Sequence, residues 1–209
     1  MKTADRILIT SLALFNEFGE ANVTSVDIAN EMDISPGNLY YHFKGKEEIV
    51  KALFQSFDSR VKHILFRPGE STIEMKDFFY FLYLVIEQQH NFRFLYRTPS
   101  DLINKYPSIS KGFKFIIRDM EKATAQLLDM YVDQGQLKLS ACDKQHLIDL
   151  IVLLFTQSLN YYVLKGEDVN QDNVIHQCLA SVFYAVSPYL TLPEQEVSML
   201  KEEFGFDGK

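Results

Sequence analysis

The chain has 209 residues, 47% of them hydrophobic, enough for a real core in one medium domain or in a small domain fused to a larger one. A net charge of −7 excludes a protein coated in basic patches, so any contact with nucleic acid has to rest on a local surface. The longest charge-free apolar runs, FFYFLYLVI and LIVLLF, are too short for a bilayer, and Asp5 stands where a signal peptide needs a basic flank. A cytosolic chain with no membrane partner is expected.

Apolar residues recur at helical spacing almost throughout, which predicts an all-α fold. The first helix carries Ile7, Ser11, Leu14, Phe15 and Phe18 on one face and stops at Gly19. Thr24 caps a second, barely two turns long, with Asp27 three residues on and Ile28, Ala29 and Met32 on one side. After the tight turn at Asp33 to Ser35, Ser35 caps a third helix and Pro36 takes its first position.

Residues 46 to 66 read as one long helix ending at RPGES around Pro68 and Gly69, and MKDFFYFLYLVIEQQ follows, apolar all round. FRFLYRTPSDLINKYPS predicts short helical pieces. A long helix is expected from Ser110 to Gly135, then one capped by Ser140, then NQDNVIHQCLASVFYAVSPYL, and a short last one opened by Pro193. Cys142 and Cys178 have no CxxC partner and read as buried free thiols, so no metal site and no cofactor are expected. The five histidines are scattered, with no HExxH, GxSxG or phosphate-cradling loop, so no catalytic residues are expected either.

Two short capped helices across a tight turn have the layout of a helix-turn-helix. At about 100° per residue, Leu39 and Phe43 point inward as anchors while Gly37, Asn38 and Tyr41 face out, flanked by Tyr40 and His42. Gly37 permits close backbone approach, Asn38 can read a base edge, and the tyrosines can reach phosphate. Lys46 adds charge at the next helix start. Against this, residues 1 to 46 hold Lys2, Arg6, Lys44 and Lys46 against six carboxylates, a deficit of cations for a DNA-binding module.

LFNEFG, TSVDIANEMDIS and above all PGNLYYHFKGKEEIV resemble the DNA-binding domain of the tetracycline-repressor (TetR) family of bacterial regulators. The resemblance covers about the first 50 residues. It implies a helix-turn-helix domain at 1–47, a helical ligand-binding and dimerisation domain at 48–209, and a repressor of a pseudo-palindromic double-stranded operator. It also implies DNA contacts from Thr24, Ser25, Ser35, Pro36, Gly37, Asn38, Tyr40, Tyr41, His42 and Lys46. Many members carry glycine where this chain has Asp33, and a basic or polar residue where it has Pro36.

The second part must speak through its own residues. LIDLIVLLFTQSLNYYVL and CLASVFYAV are apolar enough to be buried by the same pair from a second subunit, which predicts a homodimer through Leu150, Leu153, Leu154, Gln157, Leu179 and Phe183; an ordinary monomer core is the alternative. Phe79, Tyr83, Phe113, Ile117 and Met120 are either plain core or the lining of a pocket for an unidentified hydrophobic inducer. Arg93 and Arg97 either hold an anionic head or make surface ion pairs. The helix from Lys46 to Phe66 is the one long element expected to carry a change to the third helix. The alternatives are a ligand-independent or activating regulator and a helical interaction module.

Overall fold

The computed structural model describes residues 2–66, 74–169 and 173–206. Within them the chain is helical, with no strand beyond an isolated bridge between Leu137 and Leu190. The helices are α1 (Thr3–Phe18), α2 (Ser25–Glu31), α3 (Pro36–His42), α4 (Lys46–Leu65), α5 (Met75–Asn91), α6 (Phe94–Arg97), α7 (Pro99–Lys105), α8 (Pro107–Asp133), α9 (Ala141–Leu164), α10 (Asn173–Val186) and α11 (Glu194–Glu203). The RPGES stop signal and Asn170 to Asp172 lie outside the described residues.

Most boundaries follow from capping chemistry. Gly19, at φ 85°, ends α1, and reciprocal Thr24–Asp27 and Ser140–Asp143 boxes open α2 and α9. The long eighth helix starts at Pro107, earlier than the expected Ser110, because a proline lacking its N–H is a good first helical residue. The chain separates into two compact units, residues 1–60 with 91–114, and residues 61–90 with 115–209. Both α4 and α8 run from one unit into the other, so α4 is not the sole rigid element between them.

In the first unit Ile7 and Phe15 of α1, Ile28 and Ala29 of α2 and Leu39 of α3 are fully buried, the stripe each short helix needs to hold its place. An aromatic cluster extends this core: Phe15 lies 5.4 Å from Phe94, Phe57 is 5.6 Å from Phe92 and 5.9 Å from Tyr96, and Phe113 sits 5.2 Å from Phe54 and 5.6 Å from Tyr96. Gly112 lets α8 pass against α4, since a Cβ there would run into the Phe54 ring.

Polar tethers bind the end of α1 to α5, α6 and α7. Asn16 donates to the Asn91 carbonyl (2.9 Å) and accepts from the Phe94 N–H (3.0 Å), while Arg97 donates to the carbonyls of Asn16 and Glu17 at 3.2 and 3.0 Å. Arg97 therefore caps the C-terminus of α1, a use that neither an anion site nor a surface ion pair anticipates. One turn on, the Glu20 carboxylate, 7% exposed, receives Tyr106 Oη at 2.6 Å, Lys105 Nζ at 3.0 Å and Lys46 Nζ at 2.9 Å.

In the second unit Phe79 is fully buried against Phe183, Phe204 and Phe206, all within 6 Å, and Phe78 packs edge-on against Tyr131, whose hydroxyl donates to the Glu74 carbonyl. α9 and α10 pack side by side, with Ile151, Phe155, Leu179 and Val182 between them and their neighbours. Cys178 is buried as expected, whereas Cys142 is exposed in the first turn of α9, where the helix has yet to enter the core.

Burial works against ionisation of Glu20, but the hydrogen bonds from Tyr106, Lys46 and Lys105 outweigh it and hold its carboxyl below the usual 4.5. A depressed folded value stabilises the fold above the unfolded value, and the contribution drains away as pH falls through the folded one. Glu20→Gln should therefore cost about 3 kcal/mol near neutrality. In denaturant titrations from pH 7 to 3 the gap between wild type and variant should narrow below the ordinary carboxylate range; a gap independent of pH would contradict the assignment.

Candidate DNA interface

The turn between α2 and α3 is closed by Asp33 N–H to the Asn30 carbonyl (3.1 Å) and Ile34 N–H to the Ala29 carbonyl (3.0 Å). Asp33 takes φ 54°, the left-handed conformation that a short polar side chain tolerates at some cost. Ser35 then accepts from the Asn38 N–H at 3.2 Å and Pro36 fills the first helical position, so α3 starts at a fixed angle despite having only seven residues.

Leu39 anchors α3 with no exposure, and Phe43 is half-buried beneath it. Ser35, Pro36, Gly37, Asn38, Tyr40 and Tyr41 form one exposed face, Tyr41 being 82% exposed and edge-on to the half-buried His42 at 5.2 Å. A Cβ added at Gly37 would meet nothing nearer than Ser35 Oγ at 3.9 Å. The fold itself thus makes no demand for glycine at that position.

Three expected contacts are placed differently from the exposed face. Thr24 is exposed, but its hydroxyl donates to Asp27 (2.7 Å) and accepts the Asp27 N–H (3.2 Å), so its first task is capping; those bonds keep the Asp27 carboxyl below its usual range. Ser25 is buried at the first position of α2. Lys46 is turned inward: its ammonium reaches the carbonyls of Glu20 and Val23 at 2.9 and 2.8 Å and the Glu20 carboxylate, which uses all three donors. The exposed cations of the head are thus Lys2, Arg6 and Lys44.

The expected inducer-binding residues separate. Phe113 belongs to the aromatic core of the first unit; Phe79, Tyr83, Ile117 and Met120 belong to the second, where Phe79 and Met120 are buried and Tyr83 and Ile117 half-buried. Of the expected dimer residues, Leu150, Leu153 and Gln157 are exposed and Leu154 half-buried. Leu179 and Phe183 are corrected to the protomer's own core, since α10 turns them toward its neighbours with no exposure. Tyr161 and Leu164, which the sequence reading did not single out, continue the exposed stripe at 150, 153, 157, 161 and 164; spacing alone could have found it. Among the described residues no cluster of His, Cys, Asp or Glu is placed to hold a metal.

Residues 7–53 match the family model of bacterial regulatory proteins of the tetR family, and residues 56–197 match a TetR model described as a bacterial transcriptional repressor. The chain is a member of the TetR family. It is a DNA-binding transcriptional regulator with a helix-turn-helix at its N-terminus. IcaR of Staphylococcus aureus, the HTH-type negative transcriptional regulator of the biofilm operon icaADBC, is 26% identical over 156 residues, 74% of this chain and 80% of its own. A TetR-family regulator from Marinobacter aquaeolei VT8 is 28% identical and superposes with a TM-score of 0.88 over 98% of this chain and 99% of its own. SmeT, solved as a complex with triclosan, shares the fold at 18% identity and a TM-score of 0.58, covering 92% and 95%.

Three substitutions separate reading from support in this TetR-family head. Gly37→Ala should stabilise the fold by about 0.5–1 kcal/mol, as Ala for Gly does within a helix, and yet weaken DNA binding measured by fluorescence anisotropy. Asn38→Ala should relax base choice, costing about 1–3 kcal/mol of discrimination between operator and scrambled DNA. Lys46→Met should lower the melting temperature and leave the salt dependence of binding unchanged, whereas loss of a phosphate contact would reduce the log–log slope by about 1.

Proposed function

We propose that this TetR-family protein is a homodimeric repressor that holds a pseudo-palindromic operator through α3 of each subunit and releases it when a small, largely apolar molecule binds. The carrying observation is the exposed face of α3, fixed by its Ser35 cap, its proline and its buried Leu39, on which Asn38, Tyr40 and Tyr41 stand open to solvent. Repression is supported by the relation to IcaR, a negative regulator, and release by a small molecule by the shared fold with SmeT, whose structure holds triclosan. Residues 1–47 act as the DNA-binding domain and 48–209 as the dimerising and ligand-responsive one; the separate matches to 7–53 and 56–197 support that division. The protein works by binding rather than catalysis, in the cytoplasm.

Affinity for DNA comes chiefly from the hydroxyls of Ser35, Tyr40 and Tyr41, the Asn38 amide, His42 and helix N-termini, because the exposed cations are few. Such a short recognition element needs a second half-site, and α9 offers the means of dimerising. It is long and apolar enough to cross a membrane by composition. Leu147, Ile148, Ile151 and Phe155 are nevertheless buried in its own unit, while Leu150, Leu153, Gln157, Tyr161 and Leu164 face outward for the same stripe of a second copy.

The test is a gel shift on DNA upstream of the protein's own gene at stated salt, with light scattering of the same sample. A dimer that shifts this DNA is expected. Leu153→Glu, on a residue 55% exposed, should leave the helical circular dichroism intact, give a monomer at micromolar concentration and weaken operator binding by about 100-fold or more. A dimeric variant, or a monomer that binds as tightly, would refute the assignment of that stripe.

A further inference from the structure

Between α5, α9 and α10, within the second unit, lies a small, largely covered cavity lined by Ile86, Gln89, His90, Ser158, Leu159, Val174 and Ile175. Gln89 is 2% exposed, and its side-chain amide nitrogen is buried without a hydrogen-bond partner. Burying an amide donor unsatisfied is costly, and a leucine or methionine would fill the same place without that penalty. Ser158, 8% exposed, brings a hydroxyl to the same cavity and His90 an imidazole, while Ile86, Leu159, Val174 and Ile175 make the rest of the wall aliphatic. No lysine, arginine, aspartate or glutamate is among the lining residues, so a charged occupant would meet no permanent counter-charge there. Burial pushes the neighbouring Cys178 thiol up to about 11, with a hydrogen bond from Ser158 only partly opposing it, which leaves the thiol neutral and unreactive.

We propose that this cavity is a binding site for a small neutral molecule carrying a hydrogen-bond-accepting oxygen on a short hydrocarbon body, such as a simple ketone or ester. The oxygen accepts from the Gln89 amide, and the body lies against Ile86, Leu159, Val174 and Ile175. As it stands the space is about the size of one water molecule, so anything larger enters by moving α9 or α10 away from α5. Leu159 and Ser158 line the cavity from the inner side of α9, while Gln157 and Tyr161 lie on its exposed outer stripe. Where α9 is the helix that gives way, filling the cavity displaces that stripe. This regulatory consequence rests on the dimeric repressor reading above; the binding site itself does not.

The test uses the full-length protein, glutamine side chains labelled with nitrogen-15, and acetone, butan-2-one and pentan-3-one as probes. A saturable shift of the Gln89 side-chain amide signal, accompanied by a rise in melting temperature, is expected for at least one probe. Gln89→Met, of similar volume and without the donor, should fold with an equal or higher melting temperature and bind the same probe about tenfold or more weakly. No saturable shift with any probe, equal binding by the methionine variant, or a crystal grown with the ketone that shows only an ordered water beside Gln89 would overturn the proposal. Gel shifts with the upstream DNA on the same samples separate the two readings. Operator binding without ketone binding removes the site alone, and ketone binding without operator binding removes the repressor reading alone.

Discussion

The buried Glu20 carboxylate, just past the end of α1, is the interaction on which the head depends. Three side chains from distant parts of the sequence converge on it: Lys46 from the start of α4, and Lys105 and Tyr106 from the junction of α7 and α8. Two of the three helices at the N-terminus, α2 and α3, have only seven residues each and bury a narrow apolar stripe. A charge-assisted cluster adds the directional restraint that a hydrophobic contact lacks, and its desolvation is offset only while every donor stays in place. Lys46 also takes the carbonyls of Glu20 and Val23, which joins the approach to α2 to the start of α4.

This arrangement explains how an acidic protein can present a DNA-reading surface. Lys46, which the family resemblance implies as a DNA-backbone contact, is spent on internal order. What remains outside is a rigid α3 bearing hydroxyls, an amide and two aromatic rings, with a glycine where a backbone can approach closely. If that face meets the operator as proposed, its contacts draw less on counterion release than a lysine-rich face would and leave more of the binding energy dependent on fit. The tethers from Asn16, Arg97 and Glu20 also make residues 91–114 part of the same unit as the head, so a displacement of α6 or α7 bears on α1 directly as well as through α4.

Much of the fold was legible because local rules set it. Gly19, the Thr24 and Ser140 boxes, Ser35 with Pro36, and Pro193 are chain-local signals, and all mark the boundaries they suggest. The start of α8 is less legible: Pro107 closes a stretch whose two prolines suggest short pieces, yet it is the first residue of the long helix. The exposed face of α3 followed from helical spacing. The roles of Lys46 and Arg97 could not, since their partners lie 23 to 26 and 80 to 81 positions away. Periodicity likewise marks Leu179 and Phe183 as apolar without telling a subunit interface from a protomer core; their complete burial, with Phe183 against Phe79 and Phe206, decides that.

The central claim is that two copies of α3, held by this tethered head, read one operator together. Hydroxyl-radical footprinting on the DNA upstream of the protein's own gene, at stated salt, tests it most directly. The account predicts two protected patches related by a dyad, their centres about one helical turn, ~34 Å, apart or a little more. A single asymmetric patch, or uniform protection without a dyad, would contradict it.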